Sequence, residues 1–125
     1  MKTVLDDGKS IYLQISEAVE DDILAGIIKE DELIPSKNQF AKYYQINPAT
    51  ASKGVNLLAD EGIVYKKRGI GMCVAPGARD IILKKRHNAF YEDYILKLLN
   101  EAEKLNITKE ELIKLIEKDE FYNGK

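Results

Sequence analysis

The stretch between residues 35 and 69 decides the fold of this chain. It reads PSKNQFA at 35–41, NPAT at 47–50, DEGIV at 60–64 and KKRG at 66–69. These segments predict two short helices joined by a tight turn and followed by a basic hairpin. Two helices separated by about three or four residues form a helix-turn-helix, an arrangement suited to reading a groove of DNA.

The ends of the two helices can be placed from single residues. Ser36 stands three residues before Gln39, so the pair predicts a capping box at the start of the first helix. Asn47 is a favoured N-cap, and Pro48 suits the first helical position because an N–H there would have no partner. Gly62 ends the second helix as a left-handed cap.

Each helix carries one apolar face at helical spacing. The two faces are formed by Phe40, Ala41 and Tyr44 and by Ala51, Val55, Leu58 and Ala59. Packing these faces inward leaves six residues of the second helix on the outer side: Pro48, Ala49, Thr50, Ser52, Lys53 and Asn56. Contacts to DNA bases are expected from this outer side.

The segment after the second helix predicts a hairpin. The apolar run 63–65 is suited to a strand, and 72–74 is its expected partner. Between them, residues 66–71 place three cations and two glycines at the tip. Gly69 and Gly71 allow positive φ and a close approach of the backbone to a phosphate or another chain. Alone, such a hairpin is most often an ordinary turn, but its position after a helix-turn-helix favours a wing that contacts DNA.

Charge is distributed unevenly along the chain. The sequence has 19 basic and 21 acidic residues and a net charge of −2, which by itself argues against a nucleic-acid partner. Residues 36–87, however, hold ten Lys/Arg against three acidic residues, a net charge of +7. Residues 1–35 carry −6 and residues 88–125 carry −3. A basic middle between acidic ends is typical of a face that binds a DNA groove.

Upstream of this stretch, the pattern predicts a third helix. Ser10 begins it and Gly26 ends it. Its apolar face is formed by Tyr12, Ile15, Ala18, Val19 and Ile23. We expect this helix to complete a tri-helical core behind the helix-turn-helix. A short extended segment with Ile28 and residues 33–34 is expected to pair with the wing.

Length and composition exclude several classes of protein. A chain of 125 residues can bury one modest core and carry an extra element, with no room for a separate ligand domain of usual size. There is no run of roughly 18 apolar residues, and the N-terminus lacks a recognisable signal segment. We therefore expect a cytoplasmic protein with no membrane partner.

Chemistry-bearing side chains are few. Cys73 is the single cysteine, and its place in a predicted strand favours a small buried hydrophobe over a reactive thiol. His87 is the single histidine, so no metal site or catalytic constellation can be assembled. We expect no cofactor, no metal and no enzymatic activity. The basic run 84–87 fits a solvated helix face, with a phosphate-facing surface as the alternative.

Six segments together resemble one known family. They are IYLQI at 11–15, ILAG at 23–26, LIPS at 33–36, NPAT at 47–50, EGIV at 61–64 and the glycine pair Gly69 and Gly71. Over residues 11–75 they resemble the DNA-binding domain of GntR-family bacterial transcription regulators. The NPAT helix start and the short helical tail are similar to the YtrA subfamily. This resemblance implies a regulator without a large effector domain, a repressor of a transporter operon.

The chain departs from the family pattern at three positions. Relatives commonly carry Arg where this chain has Asn38, Pro48 and Ser52. Arg bidentate to guanine is the commonest specific base contact, so these departures change the expected operator. Ala49 and the Thr50 methyl group can contact thymine methyl groups, and Asn38 can bind adenine, which predicts an operator read mainly at A·T pairs. The predicted DNA-binding set is Ser36, Asn38, Pro48, Ala49, Thr50, Ser52, Lys53, Lys67, Arg68, Gly69 and Gly71.

Residues 77–125 form a helical region that follows the predicted DNA-binding domain, residues 1–76. A helix is predicted from about Arg79 to Leu105, and Thr108 with Glu111 opens a last helix. The first helix, about 40 Å long, carries more apolar surface than a small domain can cover. Two such hairpins are therefore expected to pair in a homodimer. The predicted dimer interface is Phe90, Tyr91, Tyr94, Ile95, Leu98, Ala102, Leu105, Leu112 and Ile116.

The predicted fold is mainly α with a small β-hairpin: a winged helix-turn-helix domain followed by a two-helix dimerisation hairpin. Two alternatives for the tail stay open. The hairpin can fold back on its own monomer, or its aromatic residues Phe90, Tyr91 and Tyr94 can line a pocket for an unidentified small-molecule effector.

The favoured function is a homodimeric, sequence-specific transcription regulator, a repressor, bound to a pseudo-palindromic operator in double-stranded DNA. The alternative is a winged-helix module that binds another protein and not DNA. The basic middle of the chain favours DNA.

Overall fold

The structure, a computed structural model, describes Met1 and residues 4–119 of the 125-residue chain. Its elements in chain order are α1 (Ile11–Leu24), α2 (Lys37–Tyr44), α3 (Pro48–Asp60), β1 (Val64–Lys67), β2 (Gly71–Val74), α4 (Ala78–Phe90), a π-helical segment (Tyr91–Ile95), α5 (Leu96–Lys104) and α6 (Lys109–Lys118). The chain divides into two compact units, residues 1–85 and 86–125. We call them the head and the tail. Within the described residues, no helix is long and apolar enough to cross a membrane.

Three helices form the core of the head, as the sequence predicted. Ile15 and Val19 of α1, Phe40 of α2, and Val55 and Leu58 of α3 are all buried in one apolar cluster. Burying side chains of this size stabilises the fold by about 1.5–3 kcal/mol each. This cluster fixes which side of α3 faces outward.

Gly54 lets α1 and α3 approach closely. The Ser16 hydroxyl donates a hydrogen bond of 2.7 Å to the Gly54 carbonyl oxygen. A Cβ atom at position 54 would lie 2.7 Å from the Tyr12 carbonyl oxygen and 3.0 Å from the Ile15 Cβ. Since such contacts are too short for a side chain, glycine suits this crossing.

The wing is a two-stranded antiparallel sheet with the predicted partners. Val64 pairs with Val74 and Lys66 with Met72. Leu33 forms a bridge to Cys73, so the predicted pairing of residues 33–34 with the wing is confirmed. Ile28 does not belong to that segment, because its amide donates to Asp22 in the turn that follows α1.

The tip of the wing is smaller than the sequence suggested. Lys66 and Lys67 belong to β1, and the turn itself is residues 68–70. It is closed by a hydrogen bond of 3.0 Å from the Ile70 amide to the Lys67 carbonyl oxygen. Gly69 adopts a φ of 77°, a conformation that costs glycine little.

An ion cluster around a buried carboxylate ties α4 to α1 and to the end of α3. The Lys85 ammonium donates hydrogen bonds to the carboxylates of Glu20, at 2.5 Å, and Glu61, at 3.0 Å. Glu20 is only 1% exposed. Burial lowers the pKa of Lys85, but the hydrogen bonds to Glu20 and Glu61 outweigh burial and hold that pKa above its ordinary value. Lys85 therefore pairs with carboxylates of its own chain. At this residue, both interpretations of the run 84–87, a solvated helix face and a phosphate-facing surface, are wrong.

The predicted long helix is present as α4, a π-helical segment and α5, with one irregularity. The π-helical segment Tyr91–Ile95 interrupts it between α4 and α5. The helix start predicted at Thr108 is confirmed, because Thr108 and Glu111 form a capping box at the start of α6. Residues 120–125 of the predicted region lie outside the described residues. The division of the chain at residue 76 stays a prediction.

Candidate nucleic-acid interface

Capping side chains place the N-termini of α2 and α3 at the surface. The Ser36 hydroxyl accepts a hydrogen bond of 3.1 Å from the Gln39 amide, and Gln39 accepts one of 2.7 Å from the Ser36 amide. Asn47 accepts a hydrogen bond of 2.8 Å from the Ala49 amide. Both predicted helix starts are confirmed. Because Ser36 acts as an acceptor, its O–H remains able to donate to a phosphate oxygen.

A groove of about 770 Å³ separates the wing from α2 and α3. We call it the wing groove. Its helix wall is formed by Ser36, Lys37, Gln39, Ser52, Val55 and Asn56, and its wing wall by Lys66, Ile70, Gly71 and Met72. Ile28, Leu33, Ile34 and Pro35 complete its lining. The groove has a lysine on each wall and an apolar lining. It is therefore suited to the sugar-phosphate backbone of DNA, because the lysines can pair with phosphates and the apolar lining can contact the sugars.

A second depression of about 450 Å³ lies between α3 and the start of α1. We call it the α1 cleft. Its lining is Tyr12, Ala49, Ser52, Lys53, Asn56, Leu57 and Asp60. Ser52 and Asn56 line both the α1 cleft and the wing groove, so they mark the middle of the outward surface of α3.

The predicted DNA-binding residues fall into four groups. The wing groove includes Ser36, Ser52 and Gly71, while the α1 cleft includes Ala49, Lys53 and again Ser52. Lys67, Arg68 and Gly69 are exposed at the end of the wing. Asn38, Pro48 and Thr50 line neither depression, although Asn38 and Pro48 are exposed and Thr50 is half-buried. The role of each residue in DNA binding stays a prediction.

Several residues of this surface were absent from the predicted site. Asn56 was assigned to the outer side of α3 but not to the site, although it follows Ser52 by one helical turn. Lys37, Gln39 and Lys66 line the wing groove. Tyr12 was assigned to the apolar face of α1, yet its ring lies beside α3 in the α1 cleft. Only the packing of α1 on α3 reveals this position.

The wing is tied to the loop before α2. The Tyr65 hydroxyl donates a hydrogen bond of 2.9 Å to Asp31, and the Asp31 amide donates one of 2.8 Å to the Val74 carbonyl oxygen. The hydrogen bond to Asp31 raises the pKa of Tyr65, because the neutral phenol is the donor. These bonds hold the wing wall of the groove in place.

Other chemistry is sparse on the part of the chain that the structure describes. Its His, Cys, Asp and Glu side chains form no group of three or more that could hold a metal ion. Cys73 is buried in β2, as predicted. His87 is exposed on α4.

The capped helix pair, its outward α3 and the basic wing define a winged-helix protein of the class that binds DNA. Residues 11–74 match the family described as bacterial regulatory proteins, gntR family. The match spans half of the chain, which therefore belongs to the gntR family. Residues 11–74, which include the helix-turn-helix and the wing, are the DNA-binding region of a transcription regulator.

Named relatives are consistent with this assignment. The chain is 28% identical over 102 residues to the HTH-type transcriptional repressor YtrA of Bacillus subtilis (strain 168), covering 82% of this chain and 78% of that protein. It spans only 38% and 18% of the length of two other curated relatives that it matches.

Solved structures show the same fold. A chain described as a transcriptional regulator of the GntR family from Bacteroides thetaiotaomicron is 33% identical, with a TM-score of 0.68 and coverage of 85% of this chain and 92% of that chain. AraR(DBD), solved in complex with operator ORX1, is 26% identical, with a TM-score of 0.50 and coverage of 60% of this chain and 92% of that chain.

Proposed function

We propose that this protein is a cytoplasmic, homodimeric transcription repressor without enzymatic activity, and that it binds a pseudo-palindromic operator in double-stranded DNA. One observation carries the proposal: the outward surface of α3 lies between two depressions, with cationic side chains in both. Such a surface presents polar side chains to base edges and cations to the flanking phosphates. The operator complex of AraR(DBD) supports the same use of this fold.

Base reading is assigned to the exposed start and middle of α3. Ala49 and the Thr50 methyl group contact thymine methyl groups, and Asn38 on α2 binds adenine. The structure adds Asn56, whose amide can pair with the N6 and N7 atoms of adenine. Because no arginine lies on α3, the operator is expected to be read mainly at A·T pairs.

Phosphate binding is assigned to the wing and the wing groove. Lys67 and Arg68 are exposed at the wing end, and Gly69 lets the backbone approach the duplex. Lys37 and Lys66 line opposite walls of the wing groove. Contacts of this kind supply affinity that depends steeply on salt and little on sequence.

The homodimer is assigned to the tail. Among the described residues of the tail, ten large apolar side chains are exposed: Phe90, Tyr91, Tyr94, Leu96, Leu98, Leu99, Leu105, Ile113, Leu115 and Ile116. Among the predicted interface residues, only Ala102 and Leu112 are buried in the single chain. Exposed apolar surface of this extent is typical of an interaction site. A second copy of the same hairpin would cover it, and the resulting two-fold axis requires two half-sites about one helical turn apart.

Repression is supported by relatives named as repressors, YtrA of Bacillus subtilis among them. A dimer bound across an operator blocks access to the DNA that it covers. The transporter operon and the small-molecule effector stay predictions. The alternative function, a protein-interaction module, does not explain why cations line both the wing and the wing groove.

The proposal is tested by selecting bound fragments from random duplex DNA with the full chain. We expect enriched fragments to share a pseudo-palindrome rich in A·T pairs, and binding to fall steeply as salt is raised. Lys67→Ala combined with Arg68→Ala should weaken binding to all sequences and lower the salt slope by about two units, one for each lost contact. Lys97→Ala with Lys104→Ala, two cations of the tail, is the matched control.

Two outcomes contradict the proposal. If selection enriches no sequence and binding does not depend on salt, the chain is not a DNA-binding regulator. If the wing variant and the tail control lower the salt slope equally, the wing does not contact phosphates.

A further inference from the structure

We infer that Tyr12 is a positioning residue of the DNA-binding surface: its ring holds the ammonium of Lys53 on the α1 side of α3, where that ammonium binds a backbone phosphate. This inference rests on the proposed DNA binding and adds a residue to it. It also assigns Lys53 to the phosphates and not to base edges.

The contact is a cation–π interaction. The Lys53 Nζ atom lies 4.1 Å from the centroid of the Tyr12 ring, within the range of about 6 Å over which an ammonium is attracted by an aromatic face. Lys53 is exposed on α3, and Tyr12 is half-buried in the first turn of α1. A long, flexible side chain therefore has a defined direction at this surface.

The ring itself is held by the backbone. Gly54, the residue after Lys53, lies so close to α1 that an added Cβ would be 2.7 Å from the Tyr12 carbonyl oxygen. The Ser16 hydroxyl donates to the Gly54 carbonyl oxygen, one turn further along α1. Tyr12 is thus fixed relative to α3 at the position that Lys53 occupies.

The direction of Lys53 decides which part of DNA it meets. Lys53 lines the α1 cleft and not the wing groove, whereas Ser52 and Asn56 line both. A recognition helix fills the width of the major groove, so its groove-facing residues meet base edges and its two flanks face the sugar-phosphate backbones on either side. The α1 cleft lies on one flank of α3 and the wing groove on the other. A cation drawn toward α1 therefore lies beside the backbone.

An aromatic partner suits this role better than an acidic one. A carboxylate would neutralise the ammonium and compete with a phosphate, whereas a ring attracts the cation and leaves its charge intact. Asp60 also lines the α1 cleft and would repel a phosphate there. Holding Lys53 in the cleft offsets that repulsion.

The test uses the full chain with two labelled probes, a mixed-sequence duplex and a fragment selected by the wild type. Lys53→Met should lower affinity by the same factor on both probes and reduce the salt slope by about one unit. Lys53→Arg keeps the cation and should bind as the wild type does. Tyr12→Phe keeps the ring and should also match the wild type, whereas Tyr12→Leu should lose part of the affinity.

The double variant Tyr12→Leu with Lys53→Met separates positioning from a structural role. If Tyr12 acts through Lys53, the double variant binds no more weakly than Lys53→Met alone. Melting temperatures measured beside the binding data identify any variant that fails to fold. If Tyr12→Leu does not fold, Tyr12→Met, which also removes the ring, replaces it in both comparisons.

Three results would overturn it. A change of preference at one base pair with an unchanged salt slope in Lys53→Met would make Lys53 a base reader. Additive losses in the double variant, or a loss in Tyr12→Phe as large as in Tyr12→Leu, would give Tyr12 another role. If the wild type binds neither probe, both the proposed function and this inference are wrong.

Discussion

The head and the tail differ in how far their apolar side chains are buried. All but two of the buried apolar residues among those described lie in the head, the exceptions being Ala102 and Leu112. The tail, although much shorter, exposes Tyr94, Leu105 and Leu115 by more than half of their surface. The head therefore has a core of its own, whereas the described residues of the tail expose apolar surface of the kind that marks interaction sites.

The difference also bears on function. In the head, packing holds polar residues such as Ser52 and Asn56 outward, where they are free to contact DNA. In the tail, the exposed residues include large apolar side chains such as Tyr94 and Leu105, which is the kind of surface that the proposed dimer would cover. Five predictions test this contrast, in order of decreasing effect.

Disrupting the tail should leave the head folded but weaken operator binding most. Leu98→Asp places a charge in the proposed interface, where burial of an unpaired charge is costly enough to split the dimer. The loss of avidity should then weaken binding to the full operator by about 10²–10⁴-fold. Sedimentation and operator titration measure the two effects.

Asn100→Asp, which adds the same charge to an exposed position of α5, is the control for Leu98→Asp. It should leave both the dimer and the affinity unchanged. A wild type that sediments as a monomer at micromolar concentration, yet binds the operator with full affinity, would contradict the assignment of the tail.

The boundary of the head should depend on the start of α4. Ala78 and Ile82 are fully buried in the head, and Lys85 pairs with Glu20. A fragment of residues 1–85 should therefore unfold cooperatively, and the predicted domain 1–76 should be less stable by about 4 kcal/mol, because it lacks these contacts. Urea denaturation of the two fragments decides between the boundaries, and equal stability would favour residue 76.

Removing the charge of Lys85 should destabilise the head moderately. Lys85→Met leaves the buried Glu20 carboxylate without its lysine partner. We expect the free energy of unfolding to fall by about 2 kcal/mol. This is less than the roughly 3–5 kcal/mol expected for a fully buried pair, because Lys85 is partly exposed. Lys84→Met, at an exposed neighbour, is the control. Equal melting temperatures for the two variants would show that the cluster contributes nothing.

The same cluster predicts a dependence on pH. The folded pKa of Lys85 is raised above its ordinary value of 10.5, so its contribution is fully present below pH 10.5 and is lost as the pH rises through the raised value. The difference in stability between the wild type and Lys85→Met should therefore shrink above that pH. A difference that stays constant to higher pH would contradict the ion pair.

The smallest effect is expected from a single base contact. Thr50→Ala removes a methyl group and a hydroxyl from the start of α3, and should cost about 1 kcal/mol on the selected operator and much less on random DNA. Its melting temperature should stay close to that of the wild type, because Thr50 is only half-buried. A large loss of stability with unchanged operator preference would make Thr50 a structural residue.

Local features of the fold were predictable because each depends on residues a few positions apart. The capping boxes of Ser36 with Gln39 and of Thr108 with Glu111, and the cap at Asn47, were all located from spacing alone. The strand partners of the wing followed from two short apolar runs around a pair of glycines. The hydrogen bonds of the caps close within one helical turn, and the two strands of the wing are separated only by a short turn, so both partners of each contact lie close together in the sequence.

The sequence by itself thus determined the class of fold, the family and the outward side of α3. Only the tertiary structure decided that Lys85 pairs with Glu20, 65 residues away, and that Tyr12 lies under Lys53. Neither contact has a local signal, since a lysine in a basic run and a tyrosine on an apolar face fit several environments equally well. Which one each side chain meets depends on how closely α1 packs on α3 and where α4 begins, and these are set by the core as a whole.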